Sequence, residues 1–301
     1  KMKTKINILK TIILMAIVCI SNLSQAHKNG GTQQYKNKAI PKVSVQLWSV
    51  KDELKADFKG TLTKIAGMGF DGVEFAGDFG PYKNDGKGLK NFLDGLGLKV
   101  SAAHVKFDVF DAEHYEQTVA FYKALGTDTL INPWDDRAWD AKKVDSFITE
   151  LTDLHSKLKT DGFYFGFHNH DQEFNDHKGF TFWDHIAKST PKDLVLQMDV
   201  GWVTIAEKNP VEYIKRYPGR TLTTHIKAKL PKAVAAEMAT NGKRPIVGDD
   251  VTDWAAVLKA DITVGGTKWF VVEQEEYPDG LTPLQAVELS KKGLDKVIAS
   301  L

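Results

Sequence analysis

The feature that most constrains this chain is a rhythm: from Pro41 to the C terminus, a short β-rich run followed by a helical stretch recurs eight times. Strands are expected over 43–50 (VSVQLWSV), 73–76, 99–105 (KVSAAHV), 129–132, within the stretch 163–174 (FYFGFHNHDQEF), and over 194–199, 221–227 and 268–273. Helices are expected over 53–68, 89–96, 112–125, 142–159, 180–188, 210–216, 254–258 behind an Asp253 cap, and 282–299. The 142–159 stretch shows the helical logic, with Val144, Phe147, Ile148, Leu151, Leu154 and Leu158 on one face. The uncharged aromatic run before His168 reads as a strand covered on both sides. Eight such units in one domain predict an α/β fold, a (β/α)8 TIM barrel spanning residues 41–301. A doubly wound open sheet is the rival, but no GxGxxG or P-loop pattern follows any strand. Segment 230–250 is loosely patterned and reads as a long connection, a loop or lid.

In such a barrel the reacting groups sit at the C-terminal ends of the strands. Polar residues accumulate there. Gln46 lies in strand one, Glu74 near the end of strand two, His104 near the end of three, and His168 and His170 at the end of five. Asp199 closes the apolar run of strand six, His225 and Lys227 share one face of strand seven, and Glu273 ends WFVVE in strand eight, with Glu275 on its face. One such residue is ordinary capping or ion pairing, and a lone strand histidine is usually a satisfied core residue. Repetition on seven of eight strands is harder to explain that way.

Histidine with carboxylate suits a divalent Mn, Zn, Co or Fe ion better than calcium, and no cysteine is at hand for a thiolate site. Such an ion would hold two adjacent sugar oxygens and stabilise an enediolate while a neighbouring group moves a proton. The strand ends offer such an ion His168 or His170, Asp199, His225 and Glu273 or Glu275, with Glu273 favoured as the first after its apolar run; Glu273, His168 and Lys227 are the candidates to move a proton. Gln46, Trp48, Glu74, His104, His170 and Trp202 are the expected substrate contacts. Trp48, Trp134 and Trp202 each stand beside a strand end, where an indole can stack on a sugar ring or simply pack.

The totals are near neutral, with 40 basic and 39 acidic residues. Residues 1–26 read as a secretory signal: Lys1, Lys3, Lys5 and Lys10 precede the apolar run 11–20, and Ser24-Gln25-Ala26 offers a small-residue cleavage site. Cleavage would leave 36 basic against 39 acidic residues, a net charge of −3, and a leader over 27–40 rich in Lys, Asn, Gln and Gly. That charge excludes nucleic acid as an expected partner. The single cysteine, Cys19, falls inside the signal, and Ile17 and Val18 before it are too bulky for a lipoprotein cleavage box. The expected product is periplasmic or extracellular, without a stable membrane anchor, and binds a small carbohydrate; a homo-oligomer is left open.

The ordered runs VQLWSVKDEL, GFDGVEFAG, FGFHNHDQEF, MDVGWV, RTLTTHIK and VVEQE resemble the xylose isomerase-like TIM-barrel superfamily, the sugar phosphate isomerase/epimerase group. The resemblance spans Pro41 to the C terminus. It implies a divalent metal held from strands five to eight by Glu, Asp, His and Glu, matching here the strand-five end, Asp199, His225 and Glu273. The chain departs at strand five, where His168 aligns with the glutamate, His170 is its neighbour and Glu173 lies farther on. It departs again after Lys227, where Ala228 replaces an aspartate. The first departure puts a symmetrical two-carboxylate proton shuttle in doubt, so a keto-sugar hydratase or lyase stands beside the isomerase or epimerase. A non-catalytic sugar-binding barrel is the alternative from another class.

Overall fold

Eight parallel strands close into a barrel in this computed structural model, which describes residues 39–301. In chain order they are β1 (Lys42–Gln46), β2 (Gly72–Phe75), β3 (Lys99–His104), β4 (Thr129–Asn132), β5 (Tyr164–His168), β6 (Val195–Asp199), β7 (Thr223–Ile226) and β8 (Trp269–Val272). Each pairs with its sequence neighbours, and β1 closes the ring by pairing with both β2 and β8. The signal expected over 1–26, and all but the last two residues of the 27–40 leader, lie outside the described residues. Among the described residues no helix is long and apolar enough to cross a membrane.

Alternation along each strand sends one set of side chains to the helices and the other to the barrel axis. On β5 the outward Phe167 meets Phe147 at 4.8 Å and Trp183 at 6.2 Å between ring centroids, which leaves His168 to the interior. The helix Val144–Thr160 buries Val144, Phe147, Ile148, Leu151 and Leu158, while Leu154, expected on the same face, stays partly exposed and His155 is buried beside them. The register between β2 and β3 shifts after Val73, so that Ser101 is an extra residue on β3; its hydroxyl donates to Val73 O at 3.1 Å.

Several expected boundaries are corrected by local hydrogen bonding. The first strand stops at Gln46 rather than Val50, because the Gln46 side chain accepts from Trp48 N and turns Leu47–Val50 into a 3-10 helix. The helix expected over 53–68 is two, Lys51–Ala56 and Phe58–Gly67, since Asp57 leaves helical geometry and caps the second through Gly60 N. The stretch 163–174 contributes only Tyr164–His168 to the barrel; one 3-10 turn, Gln172–Phe174, follows. Segment 230–250 holds the helix Ala235–Thr240, which buries none of its residues. Its end is pinned: Ile246 and Val247 are buried, and Val247 N donates to Ser290 Oγ of the closing helix Pro283–Ala299.

Candidate active site

The inward residues of β6 and β7 form two layers. Gln197 and Thr223 lie in the lower one, and Asp199 and His225, direct register partners, lie above. Glu273 follows the last residue of β8, and Lys227 follows β7. All of these side chains are buried. Asn169, just past β5, clamps Asp199 by its backbone, donating to Asp199 O at 3.1 Å and accepting from Asp199 N at 2.9 Å. Asp199 is also a helix cap: its Oδ1 accepts from Trp202 N, which opens the short helix Val200–Ile205. Capping and site-facing roles are compatible because they use different oxygens. Oδ1 serves the helix; Oδ2 faces Lys227 Nζ at 2.9 Å and His168 Nε2 and His225 Nδ1 at 3.7 Å each.

His225 is bracketed by acids, with Nδ1 2.6 Å from Glu273 Oε2 and Nε2 2.6 Å from Glu74 Oε1. Burial would lower its pKa, but Glu74 and Glu273 hold it well above the ordinary value; to ligate a cation the ring must give up one of the two protons it shares with these acids. Burial likewise opposes ionisation of Glu74, yet His225 and His104 hold its carboxyl down at about 2. Asp199 and Glu273 are held ionised against burial by Lys227 and His225. Lys227 completes the pattern, its Nζ 3.0 Å from Glu273 Oε2 and 3.2 Å from Glu275 Oε2.

Gln197 sets the tautomers below. Its Nε2 donates to Glu74 Oε2 and Thr223 Oγ1, so its Oε1 accepts from His104 Nε2 and His168 Nδ1, each at 2.9 Å. With the proton on Nδ1, the Nε2 of His168 carries its lone pair toward Asp199. Burial and the nearby His225 charge keep this ring neutral. A neutral imidazole with an amide oxygen fixing its other nitrogen is the arrangement a metal-binding histidine needs. Asp199, His225 and Glu273 bring ligand atoms within 4.8 Å of one another, and so do His104, His168 and His225. The two groups share His225, and the one with two carboxylates and an imidazole, Asp199, His225 and Glu273, fits a first-row divalent cation.

Around the mouth, the His170 ring stands 4.5 Å from Trp134 and 5.3 Å from Trp202. His170 Nδ1 and Trp202 Nε1 are buried and lack hydrogen-bond partners. Burial lowers the His170 pKa to about 4, and its backbone N–H donates to Glu173, whose carboxyl burial raises to about 8. Trp48 and Trp134 are each 45% exposed, and Lys51 Nζ covers Trp48 at 4.0 Å.

Of the residues expected from sequence, His168, Asp199, His225, Lys227 and Glu273 converge. Gln46 and Glu74 lie deeper and are occupied: Gln46 Nε2 donates to Glu74 Oε1 at 2.7 Å. His104 stacks parallel to His225 at 5.4 Å. Trp48, His170 and Trp202 belong to the rim. Gln197, Asn169 and Thr223 were not singled out; a glutamine two residues before Asp199 in an otherwise apolar strand was the available signal.

A parallel eight-stranded barrel with buried imidazoles and carboxylates gathered at its strand ends defines a TIM barrel with a candidate metal site. The sequence matches the xylose isomerase-like TIM barrel over residues 62–298, and the chain belongs to that family. Among solved structures, it is similar to a sugar phosphate isomerase/epimerase from Parabacteroides distasonis, with 23% identity, a TM-score of 0.72, and 87% of this chain and 96% of that one covered. A probable 3-DHS dehydratase from Bacillus anthracis gives 12% identity and a TM-score of 0.62, covering 86% of this chain and 98% of that one. D-psicose 3-epimerase gives 14% identity and 0.54, covering 86% and 97%. No curated protein matches the sequence significantly.

Proposed function

We propose that this protein is a divalent-metal-dependent isomerase or epimerase of an unphosphorylated carbohydrate. The observation that carries this reading is the meeting of Asp199, His225 and Glu273 at the ends of three consecutive strands, with His168 Nε2 of the strand before them 3.7 Å from Asp199 Oδ2. These four residues would hold the cation, which when bound supplies a Lewis acid beside the sugar carbonyl. Glu273 has two carboxylate oxygens, so one would bind the cation while the other takes a proton from the carbon next to that carbonyl. His168 Nε2, neutral and with a single lone pair, would serve either the cation or a proton, and not both at once. Lys227 donates to substrate oxygens once these replace its carboxylate partners. Trp134, Trp202 and His170 give the sugar apolar faces at the rim. The signal expected over 1–26 would export the protein, and an exported enzyme would meet few sugar phosphates.

A keto-sugar hydratase or lyase is the second reading, favoured by His168, which leaves Glu273 without a carboxylate opposite it on β5. Incubating the protein with ketoses and keto-glycosides, with and without Mn²⁺ or Co²⁺, and following products by NMR decides between them. Deuterium exchange at a C–H with the carbon skeleton's oxygens retained is expected for the isomerase; loss of water or of an aglycone establishes the lyase. Ligand binding that is unchanged in Asp199→Ala, with no turnover, leaves only a sugar-binding barrel.

A further inference from the structure

We propose that Lys227 is the resident counter-cation of the Asp199–Glu273 pair, and that Glu275 is the seat its ammonium takes when a divalent cation occupies that pair. This rests on the metal-dependent reading above. The Lys227 Nζ stands 2.9 Å from Asp199 Oδ2 and 3.0 Å from Glu273 Oε2, so it holds the same two oxygens that the candidate metal ligands would offer. Two buried carboxylates facing one another need positive charge between them, and the Lys227 ammonium supplies it beside His225. An ammonium and a divalent cation cannot share those oxygens, because their charges repel at contact distance in a poorly screened interior.

The structure shows where the ammonium can go. Glu275, two residues beyond Glu273 and nearer solvent, already lies 3.2 Å from Lys227 Nζ, with its side chain 27% exposed against 6% for Glu273. Lys229 Nζ, 3.6 Å from the same Glu275 oxygen, has its own partner in Glu276 at 3.1 Å. Glu275 can therefore turn wholly to Lys227. The Trp202 ring, 5.0 Å from Lys227 Nζ and 4.2 Å from Lys229 Nζ, forms an apolar wall beside both side chains. Lys227 Nζ already lies within 3.2 Å of Asp199, Glu273 and Glu275 alike, so Glu275 is a positioning residue that acts through Lys227.

A double-mutant cycle read by calorimetric titration with Mn²⁺ tests this. Lys227→Met should raise Mn²⁺ affinity. Glu275→Gln should lower it about tenfold, the range of outer-shell partners, in the parent protein. In the Lys227→Met background, Glu275→Gln should change affinity by less than about twofold, because the residue it serves is gone. Equal losses in both backgrounds would reduce Glu275 to simple charge attraction and overturn the proposal while leaving the metal site intact. If Lys227→Met does not fold, Glu276→Gln is the comparison: it removes the same charge without a contact to Lys227, and a loss matching that of Glu275→Gln overturns the proposal. Absence of Mn²⁺ binding in the parent and in every variant overturns the metal-dependent reading and this proposal together.

Discussion

Asn169 holds Asp199 by both polar groups of its backbone, donating to the carbonyl at 3.1 Å and accepting from the N–H at 2.9 Å. The pair ties the ends of β5 and β6 together and fixes the direction in which the Asp199 carboxylate points. Asn169→Ala strands a buried N–H and should cost about 1–3 kcal/mol of stability. Urea unfolding measures that loss, and Mn²⁺ titration of the folded variant should show weaker binding.

Gln197 joins Glu74, Thr223, His104 and His168 in one network. Gln197→Leu frees the His168 ring to adopt either tautomer. Divalent-cation affinity should fall about 10- to 100-fold while far-ultraviolet circular dichroism stays unchanged.

Gly201 lies against Lys227. A Cβ there would stand 2.7 Å from Lys227 O and 2.9 Å from its Cγ, so backbone or side chain would have to move. Gly201→Ala should destabilise the protein by about 1–3 kcal/mol. It should also change Mn²⁺ affinity, which an alanine placed far from the site would not.

Asp261 is fully buried, neither of its carboxylate oxygens has a hydrogen-bond partner, and desolvation lifts its carboxyl to about 8. The unfolded chain releases this proton near pH 4, whereas the folded protein keeps it until about pH 8. Between those values the unfolded state binds fewer protons, so this group lowers stability as pH rises, by at most roughly 1.4 kcal/mol per pH unit. Asp261→Asn keeps the shape of the protonated acid and removes the slope. Unfolding at pH 4, 6 and 8 should show the variant gaining on the parent at each step; parallel curves contradict this.

Trp134 is half exposed and packs edge-on against Trp139 and His170. If it stacks on substrate, Trp134→Ala should raise KM roughly threefold to tenfold, the worth of about 1 kcal/mol of aromatic contact, with kcat nearly unchanged.

Much of this was legible in the chain. The alternation of apolar runs and amphipathic helices specified the barrel because period two and period 3.6 bury different faces. Asp199, His225 and Glu273 stood out because an ionisable residue at the end of an apolar strand must find a partner. Boundaries at Gln46 and Asp57 were hidden, since one side-chain hydrogen bond to a backbone N–H ended a strand in the first case and split a helix in the second. The importance of Gln197 was hidden too. Its partners Glu74 and His104 lie 123 and 93 residues away in sequence, and no local pattern records them.

The sequence by itself determined that eight strands would present their polar ends at one rim, because side-chain alternation and the burial of apolar surface are local rules that each segment carries. Only the tertiary structure decided which charges meet: His225 between Glu74 and Glu273, Lys227 between Asp199 and Glu273, and His168 turned by Gln197. Electrostatic interaction depends on distances across the barrel axis, and those exist only once the ring has closed.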